Sequence, residues 1–72
     1  MSFYQMRKNA GMTQTGIARE LKISVGAVSH WETGKKYPSP AHLLRLEEIL
    51  GVPAGDIIRA INAAAEKRGK SE

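Results

Sequence analysis

Seventy-two residues hold one small domain, and a chain this short buries only about 60 to 65% of the surface its unfolded form exposes, so its core is thin. The absence of cysteine excludes a disulfide framework and thiolate metal sites. No apolar run approaches the ~20 residues of a membrane span or resembles a secretory signal, so a cytoplasmic protein is expected. Eleven basic against seven acidic side chains leave a net charge of +4. The excess lies in residues 1–36, with six basic and two acidic groups against five of each in residues 37–72, which suits a polyanionic partner.

The pattern predicts five helices and no strands. Ser2 and Gln5 form an S-x-x-Q capping box before a first helix over residues 3–10, with Phe3 and Met6 on its inner face and Gly11 as its stop. Thr13 caps a second helix over 14–21, where Gly16 costs up to ~1 kcal/mol relative to alanine and requires some compensation. Ser24 caps a third helix over 25–33 that ends at Gly34. Ser39 followed by Pro40 is a cap with a first-turn proline, opening a fourth helix through Leu50 with Leu43, Leu46 and Leu50 on one stripe and Gly51 at its end. The fifth helix, over 54–68, places Asp56 near its positive end and Lys67 and Arg68 near its negative end. Its start is the least defined boundary, because Pro53 offers no capping oxygen. A single domain over 1–69 and a polar tail over 70–72 complete the division of the chain.

The second and third helices are joined by a tight turn. Ile17, Ala18, Leu21, Ile23, Val28 and Trp31 are spaced to face each other across it, which leaves Gln14, Ser29 and His30 outside. A helix held out in this way fits a DNA major groove. Val25, Gly26, Ser29 and His30 lie opposite Val28 and Trp31, so they are the residues able to reach base edges. Val25 suits a thymine methyl, Gly26 permits close approach, and Ser29 and His30 supply the polar recognition. With so thin a direct code, DNA shape and deformability must add selectivity. Imidazole ordinarily titrates near pH 6.5, so protonation of His30 would tighten a grip on a polyanion. The alternative for His30 is a surface side chain beside a phosphate or without contact. Gln14 and Thr15 at one helix start, Ser24 at the next, and Lys35, Lys36 and Tyr37 in the following loop are expected to meet the DNA backbone.

Arg7-Lys8, Gly11-Met12-Thr13-Gln14, Ile17-Ala18, Ser29-His30-Trp31-Glu32, Gly34-Lys35, Pro38-Ser39 and Leu50-Gly51-Val52 together resemble the Cro/cI-type, or XRE, helix-turn-helix family of phage and bacterial transcription regulators, over about residues 3–58. The resemblance implies an all-α fold, a compact five-helix bundle of the lambda-repressor-like DNA-binding type, with the helix-turn-helix formed by the second and third helices. It further implies that Gln14 anchors to the sugar-phosphate backbone, that the loop after the third helix also touches phosphates, and that Arg7 and Glu32 form an internal ion pair. Two positions depart from the family pattern. Lys22 stands in the turn where glycine is common, and Glu47 stands where a small apolar residue is usual, its carboxylate escaping to solvent or meeting a base such as Arg45.

The expected function is sequence-specific binding of a double-stranded DNA operator, as a small phage-type or bacterial repressor. One recognition helix covers only half a site, so a homodimer on a palindromic operator is expected, formed in solution or only on DNA. The start of the fourth helix and the last helix, with Ile57, Ile58 and Ile61, are the candidate dimer surfaces. Burial of all three isoleucines within the monomer is the competing reading. An antitoxin is the alternative function, with residues 62–72 as a segment for a small protein partner and Ala63, Ala64 and Ala65 allowing close helix contact there. A membrane-surface or scaffolding protein would leave the turn motif unused. No metal or cofactor is expected and no enzyme, since His30 and His42 lack a ligand pattern, the serines lack a histidine and acid, and Gly51-x-x-x-Gly55 lacks the following Lys-Ser/Thr of a phosphate loop.

Overall fold

The computed structural model describes residues 1–70, Lys70 through its backbone alone. Five helices follow in order: α1 (Phe3–Asn9), α2 (Gln14–Leu21), α3 (Val25–Thr33), α4 (Pro40–Leu50) and α5 (Ala54–Lys70). There are no strands among the described residues.

Four of the helix starts are set by local side-chain chemistry. The hydroxyls of Ser2, Thr13, Ser24 and Ser39 accept from the backbone N–H of Gln5, Gly16, Ala27 and His42, each three residues on. The expected capping box at α1 forms only by half, because the Gln5 amide donates to Asn9 Oδ1 at 3.1 Å. Gly16 is explained by crowding at the α2 cap: a Cβ there would lie 3.1 Å from Thr13 Oγ1 and 3.3 Å from Met12 Cε. The fifth start has a cap from outside its own segment. Glu47, on α4, accepts the Ala54 N–H on Oε2 at 2.8 Å, so its carboxylate caps α5, while Arg45 pairs with Glu20 and Glu48. A negative charge placed there also meets the positive end of the α5 dipole.

The core gathers Phe3 and Met6 from α1, Ile17, Ala18 and Leu21 from α2, Val28 and Trp31 from α3, Leu46 and Leu50 from α4, and Ile57, Ala60 and Ile61 from α5. Phe3 meets Trp31 edge to face, with ring centroids 6.3 Å apart, the arrangement favoured by aromatic quadrupoles. Leu43, expected on the inner stripe of α4, is half-buried.

The structure corrects the expected dimer surface. Ile57 and Ile61 are fully buried, with 0% exposure, and Ile58 alone of the three is half-buried. The physical reason is that α5 packs across both α3 and α4, so its inward sector is wider than one narrow stripe. The helix also runs past the expected residue 68 to Lys70, and residues 71–72 of the expected tail lie outside the described residues.

The end of α3 lies directly on the α5 backbone. Gly34 is buried in the left-handed conformation, φ 76°, and a Cβ there would stand 2.2 Å from Ala65 N and 2.7 Å from the Ala64 carbonyl carbon. Two of the three alanines read as a possible partner surface are therefore engaged inside the molecule. Gly51 closes α4 at φ 69° with open space around it. Gly51→Ala should therefore lose only the ~1–2 kcal/mol of a left-handed non-glycine residue, whereas Gly34→Ala should lose at least about 3 kcal/mol because the two helices must also separate. Urea unfolding of both variants checks this, and equal losses would show that α3 and α5 do not need the close approach.

Candidate nucleic-acid interface

Four connections fix the position of α3 relative to the rest of the fold. At its start, Lys22 adopts the left-handed conformation, φ 57° and ψ 47°, a backbone ordinarily given to glycine. The Ile23 N–H reaches the Ala18 carbonyl at 3.0 Å, so the turn closes despite the lysine side chain. Along its inner face, Val28 and Trp31 are buried against α2 and α1. At its end, Gly34 rests on α5. Near that end, Glu32 accepts from Arg7 Nε at 2.6 Å, and the same guanidinium donates through Nη1 to the Met12 carbonyl at 3.1 Å. The side chains of this pair are only 10% and 12% exposed, and Tyr4 stacks on the guanidinium at 5.0 Å.

The outward face of α3 then falls where its sequence pattern places it. Val25 is 41% exposed, Gly26 is exposed, and Ser29 and His30 are half-buried at the surface. The His30 carbonyl accepts from the N–H of Lys35 at 2.9 Å and of Lys36 at 3.3 Å, which folds the loop back against the helix end. Both lysines are thereby held, exposed, beside the same face. Tyr37 is exposed as well, but its hydroxyl donates to Asn62 Oδ1 on α5. The single phenolic proton is engaged there, so the ring ties the loop to α5 and leaves the cationic contacts to Lys35 and Lys36.

At the start of α2, Gly16 N–H goes to the Thr13 hydroxyl and Ile17 N–H to the Thr13 carbonyl, leaving the Gln14 and Thr15 N–H groups without a partner in the helix. Gln14 is half-buried and Thr15 exposed. The Ser24 hydroxyl caps α3, and Val25 and Gly26 likewise carry first-turn N–H groups. The start of α3 at Ser24 and the loop at Lys36 thus border Gly26 and His30 on the outward side of α3. His42 borders it too, in the first turn of α4, although the sequence pattern points to no DNA contact there. Its place three residues after the Ser39-Pro40 cap, next to the loop, is the signal that could have brought it forward. Among the described residues, no group of three or more His, Asp or Glu side chains is placed to hold a metal ion.

The helix-turn-helix family profile matches residues 3–57, most of the chain. The chain belongs to the XRE-type helix-turn-helix family. It is 43% identical over 44 residues to the HTH-type transcriptional regulator DicA of Escherichia coli strain K12, covering 61% of this chain and 33% of that protein. It is 32% identical over 54 residues to the HTH-type transcriptional activator BcrR of Enterococcus faecalis, covering 75% of this chain and 26% of the relative. The chain therefore matches about a third and a quarter of the lengths of these proteins. No solved structure matches it significantly. No helix among the described residues is long and apolar enough to cross a membrane.

The ion pair makes a direct prediction about the seating of α3. Glu32→Ala leaves the Arg7 cation nearly buried without its partner and should cost about 3 kcal/mol, whereas the double replacement Arg7→Met with Glu32→Leu should recover most of that loss. Chemical denaturation of the two variants decides it. A double variant no more stable than Glu32→Ala would show that the damage comes from lost packing instead of a stranded charge.

Proposed function

We propose that the protein is a sequence-specific double-stranded DNA-binding transcriptional regulator that inserts α3 into the major groove. The observation that carries this reading is the joint placement of Val25, Gly26, Ser29 and His30 on the free face of a helix anchored at both ends, with Lys35 and Lys36 held beside it. In this arrangement Ser29 and His30 reach base edges, Val25 meets a thymine methyl, and Gly26 lets the helix sit close. Gln14, Thr15 and Ser24 meet phosphates through their helix starts, and Lys35 and Lys36 through their charges. The printed names of the two relatives, a transcriptional regulator and a transcriptional activator, support regulation through DNA. Occupying a promoter blocks polymerase, so a repressor is the simplest form of action.

A two-fold dimer on a palindromic operator completes the site, since one such module covers half of it. With Ile57 and Ile61 in the core and Leu43 and Ile49 packed against it, the large apolar side chains left for that contact on α4 and α5 are Leu44, 61% exposed, and the half-buried Ile58.

Selection of binding sites from a random duplex pool, followed by anisotropy titration across salt concentrations, tests the proposal. Lys36→Ala should weaken all sequences alike and lower the log–log salt slope by about one unit. His30→Ala should relax preference at one position per half-site, with a discrimination loss of about 1–3 kcal/mol there. Failure to retain any duplex in dilute buffer would overturn the DNA reading, and a selected site without two-fold symmetry would overturn the dimer.

A further inference from the structure

A groove of about 370 Å³ lies between the first turns of α3 and α4 and the loop that joins them, and Ser24, Gly26, His30, Lys36, Ser39 and His42 line it. Its volume is about twelve times the ~30 Å³ share of one liquid water, so a phosphodiester group and its hydration fit. Because Gly26 and His30 border it, the groove opens on the side of α3 assigned above to DNA.

Its chemistry is one-sided. The ionisable groups that line it are His30 from α3, Lys36 and Tyr37 from the loop and His42 from α4, and no carboxylate does. The Tyr37 hydroxyl is engaged by Asn62, and on α4 the Arg45 guanidinium, three residues past His42, is drawn away to Glu20 and Glu48 at 3.7 and 3.6 Å. Lys36 makes no ion pair, and the imidazole nitrogens of His42 have no hydrogen-bond partner, among the described residues. The His42 ring is nonetheless held in place: its backbone N–H is fixed by the Ser39 hydroxyl at 3.3 Å, and its ring leans on the Trp31 indole with centroids 6.1 Å apart. A positioned imidazole and a lysine that line one cavity with no carboxylate on its wall favour an anion there.

We propose that this groove is a proton-linked seat for one phosphodiester of the DNA backbone, clamped between Lys36 and His42, with His30 closing its base-facing side. The proposal rests on the DNA reading above. A histidine changes charge between pH 5 and 8, and the charged form binds a phosphate oxygen better, so attachment strengthens as pH falls through that window. The sign is fixed by linkage: a ligand that prefers the protonated imidazole raises proton binding by the same factor that protonation raises ligand affinity.

The test is a duplex titration at constant ionic strength from pH 8 to 5.5, using the operator selected above. It is run on the wild type, on His42→Gln and His42→Lys, and on each of these in a His30→Gln background, with thermal unfolding by circular dichroism as the folding control. Wild-type affinity should rise about tenfold as pH falls. His42→Gln should remove at least half of that rise, and at pH 5.5 should lower the salt slope by about one unit. His42→Lys should bind tightly at pH 8 with little pH dependence left. The emission of Trp31, the single tryptophan, reports the charge on the adjoining imidazole, and its titration midpoint should move to higher pH when duplex is added. Millimolar inorganic phosphate should not reproduce that movement, which separates a seat for the duplex backbone from a site for the free ion; a full shift with inorganic phosphate alone would overturn the assignment to DNA. Duplex binding by the wild type with unaltered pH dependence in folded His42→Gln would overturn this proposal and leave the DNA reading intact, whereas no duplex binding by the wild type at any pH would remove that reading itself.

Discussion

The Arg7 guanidinium is the constraint on which the rest of this small structure depends. From one nearly buried position it holds the Glu32 carboxylate at the end of α3 and the Met12 carbonyl in the turn between α1 and α2, while Tyr4 covers its outer side. Desolvating both charges is expensive, and the attraction between them repays this only when the geometry is good and remaining donors are used. Here the contact to Glu32 is short, and the second bond, to Met12, employs a further donor of the guanidinium. The pair ties α1 and the turn that follows it to the end of α3. An apolar pair of similar volume could match its energy, but would not orient α3 about its own axis as the directional hydrogen bond to Glu32 does.

Rotation matters because the helix has two sides with opposite requirements. Val28 and Trp31 must stay in the core, and they lie one turn apart on the face opposite Gly26 and Ser29. A turn of about 100° would exchange a buried indole for the neighbouring His30 or Glu32. Gly34 supplies the complementary restraint, since its missing side chain lets the end of α3 touch the α5 backbone at Ala64 and Ala65. The last helix is therefore a platform: Ile57 and Ile61 pack beneath α3 and α4, its alanines receive Gly34, and Asn62 receives the loop through Tyr37. The same packing that builds the platform removes two isoleucines from any surface offered to a second subunit.

How much of this was legible in the sequence follows the range of each interaction. The four hydroxyl caps act within three residues, so Ser2, Thr13, Ser24 and Ser39 marked their helix starts correctly. The alternation of buried Val28 and Trp31 with exposed Val25 and Gly26 is a property of one helix and was equally visible. The Glu47 cap of α5 crosses a helix end and the Gly51 turn, and no local rule joins a carboxylate on one helix to the first N–H of the next. Tyr37 and Asn62 are farther apart still, and the bond between them withdraws a phenol that the loop's position alone would assign to DNA. The three isoleucines of α5 were ambiguous for another reason: periodicity marks an apolar sector but does not say whether one neighbour or two will cover it. Arg7 and Glu32 were paired only through the family resemblance, since a separation of 25 residues carries no periodic signal.

The composition of the outward face gives the rigidity of α3 its consequence in the proposed complex. A long arginine or glutamine can swing to find its base, so a scaffold that carries one tolerates some looseness. Valine, glycine and serine have little reach, and each places its contact within an ångström or two of the helix backbone. Recognition through such residues works only if the backbone itself is held at the right depth and angle, which is the task of Arg7, Gly34 and the closed turn at Lys22. Short side chains also bring the helix nearer to the bases, and the duplex must then conform to the protein surface. In the proposed complex, sequences that deform easily would gain by this and stiff ones lose, so the small residues at positions 25, 26 and 29 would transfer part of the discrimination from hydrogen bonds to the mechanics of the DNA.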